Sequence, residues 1–234
     1  MIYIIVVFVS KFLFKGKKLW VFMRFECQTH LKLRALNFGE MYFILNKRYG
    51  IGINFAFCKV DERYLYIPRY IFEKQTKNYI FLPLCLFNKT YCHYNVLLLN
   101  THTRTMERFD PVDMTKYKYL DTLLHNFCNN NGYKYIYNRY RGPQWMEMME
   151  VDETMNCGFW VLMYLEERIR NINKTQKMFM NNWMKKIGEI GFHKTMCNYK
   201  SIVLNEISIN IDYNSLCDKV CDGMTNILDY YIYN

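Results

Sequence analysis

"TMNCGFWVLMYLEERI", residues 154–169, sets a cysteine directly before a long apolar run. Every residue from Phe159 to Leu165 is apolar or aromatic, and Glu166 and Glu167 then mark the return to water. A helix that is apolar nearly all round belongs inside a domain. The stretch therefore predicts a buried central helix with Cys157 at its start. The first N–H groups of a helix lack internal partners, and the helix dipole is positive there. Both favour a thiolate, and a nearby imidazolium adds to the effect. Gly158 is expected to let a substrate backbone come close. Cys157 is thus suited to attack on a carbonyl. The plain alternative is an inert cysteine that fills a core.

A nucleophilic thiol needs a base, and the base needs a group that orients it. Upstream, "NYIFLPLCLF" (78–87), "HYNVLLLNT" (93–101) and "TMERFDP" (105–111) read as three strands. The short polar connection "NTHTRT" suits a hairpin, and Pro111 ends the third strand. His93 opens one strand and Asp110 closes the next, 17 residues on (93 to 110). Antiparallel pairing brings those two ends together. Asp110 could then hold one ring nitrogen of His93 and leave the other for Cys157. An oxyanion would be met by the Cys157 N–H and by Gln144 of "GPQ" (142–144). His102 falls in the hairpin turn, too exposed for a base, and His125 reads as partly buried scaffold. Asp113 is a second choice for Asp110. Glu150, Asp152 and Glu153 read as the rim of a cleft.

Elsewhere, "MTKYKYLDTLLHNFCNNNG" (114–132) has leucines at helical spacing and a glycine stop. "YKYIYN" (133–138) suits a strand, and 171–234 reads as further helices with a strand at 201–211. The apolar run 2–9 is too short to span a bilayer and reads as a strand. A translation start at Met23 or Met41 is an alternative account of it. No linker divides the chain, so residues 1–234 are expected to form a single α+β domain. Its catalytic core would cover 65–175, and 1–60 form an N-terminal part that the pattern assigns poorly.

The 234 residues carry a formal charge of +10, with lysines and arginines scattered apart from "FKGKK" (14–18). That predicts a solvated basic surface with weak nonspecific nucleic-acid binding as a secondary property. Nine cysteines without regular spacing argue against a disulfide framework and for an intracellular reducing compartment. Neither Cys217/Cys221 nor Cys85/Cys92–His93 makes a zinc site. No metal or organic cofactor is expected, nor stable membrane insertion.

"HYNVLLLN…TMERFDP", "GPQ" and "NCGFWVLMYLEERIRN" together resemble the Ulp1/SENP-type cysteine peptidases, a group that includes adenovirus and poxvirus processing proteases. The pattern is nearest to uncharacterised members in large DNA viruses and covers residues 65–175. The resemblance implies a papain-like cysteine peptidase fold of the Ulp1/adenain type, with a central mixed β-sheet and a buried helix carrying the nucleophile at its N-terminus. It implies His93 as general base, Asp110 as its orienter, Gln144 as oxyanion donor and Cys157 as nucleophile. It also implies cleavage of peptide or isopeptide bonds after small residues, often glycine. The substrate would be a protein: a viral structural precursor or a ubiquitin- or SUMO-like conjugate. If the chain is viral, its place is the host cytoplasm or the virion. The alternative is a catalytically inactive module that binds a ubiquitin-like protein or capsid component on the same fold. Three departures stand out. Tyr94 follows the histidine where relatives often have Trp, and Asn156 precedes the nucleophile where Asp is common. The gap from Gln144 to Cys157 is also long, so either "WMEMMEVDETM" (145–155) loops out or Gln144 is not the oxyanion donor.

Overall fold

The central strand of the molecule owes its place to an unbroken apolar run. From His93 to Leu99 every residue is buried, the mark of a strand covered on both faces. The computed structural model describes residues 6–14, 17–25, 35–36, 38–49, 56–59, 63–67, 78–87, 92–112, 118–136, 140–151 and 154–210. Within them, β3 (Ala56–Lys59), β4 (Tyr64–Tyr66), β5 (Tyr79–Phe87), β6 (Cys92–Asn100), β7 (Thr105–Phe109) and β8 (Lys134–Ile136) form one sheet. Its order is β4-β3-β5-β6-β7-β8. The β3–β5 and β7–β8 pairs are parallel and the others antiparallel, so the sheet is mixed. Strands β1 (Val6–Phe14) and β2 (Lys17–Phe25) pair separately as an antiparallel hairpin.

Period-two alternation divides β6 between two cores. Leu97 and Leu99 join Leu82, Leu84, Leu86 and Met106 beneath α2 (Lys118–Asn130), which contributes Leu120, Leu124 and Cys128. Tyr94 and Val96 join the other core, around α4 (Cys157–Arg170). α4 lies between the sheet, α1 (Phe38–Tyr49), α5 (Gln176–Ile190) and α6 (Phe192–Asn210), which is why it is apolar all round. The Phe109 and Tyr164 rings stack at 3.9 Å, and Trp183 of α5 meets Trp160 edge-on at 6.1 Å. Glu166 emerges from this core to pair with Arg48 of α1, which also reaches Glu206 of α6 at 2.6 Å. The architecture is mixed α and β, as the α+β expectation has it.

Several segments differ from the sequence reading. Residues 201–210 continue α6 and are not a strand, and 211 lies outside the described residues. Met196, Val203, Leu204 and Ile207 recur at helical spacing and are buried in the α4 core. That packing overrides the β preference of the isoleucines and valine. Between Gln144 and Cys157 the chain does not simply loop out: Pro143–Glu150 form helix α3. β5 to β8, α2 and α4 fall where expected, within a few residues at each end, α5 and α6 are helices of the expected tail, and β1 overlaps the strand expected at 2–9, whereas β2, α1, β3 and β4 lie where the sequence pattern made no assignment. The calls on Asp113, Asp152, Glu153, Cys217 and Cys221 lie outside the described residues.

Candidate active site

Antiparallel register carries the first two groups together. Val96 pairs with Phe109, so extending the ladder one step sets Asn95 opposite Asp110, with His93 two residues further along the same face. The His93 Nε2 lies 2.8 Å from Asp110 Oδ1, both side chains buried. The same oxygen accepts the Val112 N–H at 2.9 Å, and Arg108 Nη2 stands 3.6 Å from Asp110 Oδ2. Burial by itself would raise the Asp110 pKa. The His93 charge and hydrogen bond, Arg108 and the Val112 N–H outweigh it and hold the carboxyl below its ordinary value. Burial also opposes charge on His93, but Asp110 and then Cys157 overcome it and push the imidazole up to about 10.

Cys157 completes the line. It lies close enough to His93 to help hold the imidazole protonated. Asp110 occupies Nε2, so Nδ1 is the ring nitrogen left for the sulfur. The sulfur's residue is only 9% exposed, at the first position of α4. A Cβ on Gly158 would come within 3.0 Å of Leu36 and 3.4 Å of the Tyr94 ring. The glycine therefore lets Leu36 and Tyr94 pack closely on the helix start.

The "GPQ" turn is held against the Asp110 corner. The Gly142 N–H donates to Val112 O and the Gln144 N–H to Pro111 O, each at 2.8 Å. A Cβ on Gly142 would lie 2.2 Å from Pro111 O, so no larger residue fits without moving one backbone off the other. Pro143 then starts α3 at a position where a missing N–H costs nothing. Gly142→Ala is therefore expected to destabilise the fold by about 1–3 kcal/mol, read as a lower melting midpoint. An unchanged midpoint would show that this contact does not fix the turn. Gln144 is buried, and its Nε2 donates to Thr154 O at 3.1 Å and Oγ1 at 3.4 Å, three residues before Cys157. Its amide is engaged with the chain itself.

The sequence did not single out Glu147. It is fully buried on the same face of α3 as Gln144 and accepts Asn156 Nδ2 and Trp160 Nε1, each at 2.7 Å. His193 Nδ1 stands 3.3 Å from its carboxylate. Burial raises the Glu147 pKa, and these three donors pull it back. Asn156 in turn accepts from buried Lys200 Nζ at 2.9 Å, whose ammonium lies 5.0 Å from the Phe159 ring centre. The residue before Cys157 is thus clamped from α3 and α6. The one available signal was the i, i+3 spacing of Gln144 and Glu147 after Gly-Pro. Glu150 accepts the Phe192 and His193 N–H groups at 2.9 and 2.8 Å and caps α6. His102 is exposed as expected, whereas His125 is exposed rather than partly buried, and neither joins the site.

The His93–Asp110 pair predicts a pH window for stability. A raised histidine stabilises the fold fully below its unfolded pKa of 6.5, and that contribution fades as pH rises towards about 10. A depressed aspartate stabilises above 3.8 and loses this as pH falls through its folded value. The melting difference between wild type and His93→Gln should be widest from about pH 4 to 6.5 and narrow towards pH 10. A difference that is constant across that range would show that the pair carries no net charge coupling.

No group of three His, Cys, Asp or Glu among the described residues could hold a metal ion. No helix among them is long and apolar enough to cross a membrane. No protein-family model matches the chain, and no curated protein matches it.

Proposed function

We propose that the chain is a cysteine endopeptidase that cleaves peptide or isopeptide bonds after small residues, on a papain-like fold of the Ulp1/adenain type. The observation that carries the reading is a buried imidazole, His93, hydrogen-bonded to buried Asp110 and close enough to interact with Cys157 at the start of a buried helix. A chance core cysteine has no reason to face a buried imidazole that is itself held by a buried carboxylate.

Each part has a defined task. The raised His93 keeps the proton on the imidazole near neutral pH, and the form of a cysteine that attacks a carbonyl is the thiolate. The thiolate attacks the scissile carbonyl carbon, and the carbonyl oxygen takes the negative charge. N–H groups at the α4 start meet that oxygen. Gln144 joins them when its amide exchanges Thr154 for the oxyanion. As the C–N bond breaks, His93 gives its proton to the leaving amine, and a thioester remains. The neutral imidazole then takes a proton from water. The resulting hydroxide equivalent opens the thioester, and the carboxylic acid product leaves. Asp110 holds the ring through both halves. Above about pH 10 the imidazole no longer carries the proton needed by the amine, so turnover should fall there.

The substrates that fit are a viral structural precursor or a ubiquitin- or SUMO-like conjugate, in a reducing compartment. The test is incubation of the reduced protein with both classes, with every cut mapped by mass spectrometry. Cuts after glycine that disappear with Cys157→Ala support the reading. Tight binding of a ubiquitin-like protein with no cut, and no labelling by an electrophilic form of it, would make the chain an inactive binding module instead.

A further inference from the structure

Next to the site lies a second pair of sulfurs that the proposed reaction does not use. Cys85 pairs with Tyr94 in the β5–β6 ladder and Cys92 with Phe87, which puts the two cysteines on one face as diagonal neighbours. Their sulfurs are 3.3 Å apart. Cys85 is buried in the α4 core and Cys92 is exposed. His93 follows Cys92 directly, and the charges of Cys85 and Cys157 are close enough to interact.

We propose that Cys85 and Cys92 form a thiol–disulfide exchange site that takes a low-molecular-weight disulfide such as glutathione disulfide, and whose closure draws His93 away from Cys157. The inference rests on the peptidase reading for its effect on turnover, but not for the disulfide itself. Cys92 is the entry point because it is the exposed member. Its hydrogen bond from Cys85, together with Tyr94 and His93, lowers its pKa to about 7 despite partial burial. A thiol with a pKa near the ambient pH attacks disulfides fastest. The Cys92 thiolate attacks one sulfur of glutathione disulfide, forming a mixed disulfide and releasing one glutathione thiolate. That thiolate takes the proton of Cys85. The Cys85 thiolate attacks the Cys92 sulfur and expels the second glutathione. Two protein thiols are oxidised, and one glutathione disulfide is reduced to two thiols. The second step is the slower one, because the hydrogen bond to Cys92 and burial both push the Cys85 pKa well up.

The consequence for the site is geometric. A disulfide needs about 2.05 Å between sulfurs, against 3.3 Å here. Side-chain rotation and movement of the strand end bearing Cys92 close the gap, since Cys85 sits mid-strand in a packed core. His93 is the next residue, and Tyr94, which contacts Cys92, also packs on Gly158 beside the nucleophile. Movement at Cys92 therefore reaches both neighbours of Cys157.

The test uses the full chain, incubated with glutathione disulfide and then freed of it. Intact and peptide masses report any Cys85–Cys92 bridge. Iodoacetamide uptake at Cys157, resolved by peptide mass, reports the state of the site. The expected result is a Cys85–Cys92 bridge, at least a tenfold slower alkylation of Cys157 (a roughly 1.4 kcal/mol barrier change), and recovery with dithiothreitol. Cys92→Ser should pass through the same treatment with its Cys157 alkylation within about twofold of the untreated value. The inference is overturned if no Cys85–Cys92 bridge forms while exposed Cys197 is glutathionylated in the same sample. It is equally overturned if the bridge forms and Cys157 reacts as before. If bridging slows Cys157 alkylation but the reduced protein cleaves no peptide, the exchange site stands and the peptidase reading falls.

Discussion

Cys157→Ala will lower peptide cleavage by about 10⁴-fold or more, to the level that binding and oxyanion contacts alone supply. The loss is this large because no other described sulfur can take over. Cys85 and Cys128 are buried away from an open face, Cys58 lies in the second core, and exposed Cys92 and Cys197 lie off the α4 start. Removing one sulfur from a position 9% exposed should cost little stability, on the order of 1 kcal/mol. The melting midpoint should therefore stay near that of wild type while cleavage disappears. A variant that keeps more than a few per cent of the wild-type rate would move the nucleophile elsewhere.

The second large effect is on the fold. Asp110→Ala removes the acceptor that His93 and Val112 share and the carboxylate beside Arg108. His93 is buried, so the variant leaves its charge in the interior without its carboxylate, while buried Arg108 keeps Asp121 at 2.9 Å. The expected cost is about 3–5 kcal/mol. For a domain of this size that is a fall in melting midpoint of roughly 6–20 °C. Asp110→Asn keeps the shape and one acceptor, so it should recover much of the stability without recovering the turnover, because a neutral amide cannot hold an imidazolium. Equal stability of the alanine variant and wild type would mean that the carboxylate is a bystander.

These two effects trace back to features of unequal legibility. The α4 helix was readable because seven consecutive apolar residues (159–165) admit few other placements. His93 and Asp110 were readable because a short hairpin turn fixes which strand ends meet. Helix α3 was not, because its buried face is made of Gln144 and Glu147, which look like solvent residues until Thr154, Asn156, Trp160 and His193 are seen around them. No periodicity in one segment can reveal partners supplied by three others. The misreading of 201–210 has the same origin. Ile202, Val203 and Ile207 favour strands locally, but the face that α4 leaves open accepts a helix. The capping role of Glu150 was hidden as well, because its partners are backbone N–H groups of α6, 42 and 43 residues away.

The contact between Cys157 and His93 is where structure and chemistry meet, and alkylation kinetics address it without knowledge of the substrate. Each cysteine of the reduced chain is followed by peptide mass during brief exposure to iodoacetamide at neutral pH, in wild type and in His93→Ala. Cys157 should react faster than Cys58 and Cys128, and should slow at least tenfold when the imidazole is removed, while exposed Cys197 is unaffected. A Cys157 that reacts at the same rate with and without His93 would contradict the proposed site.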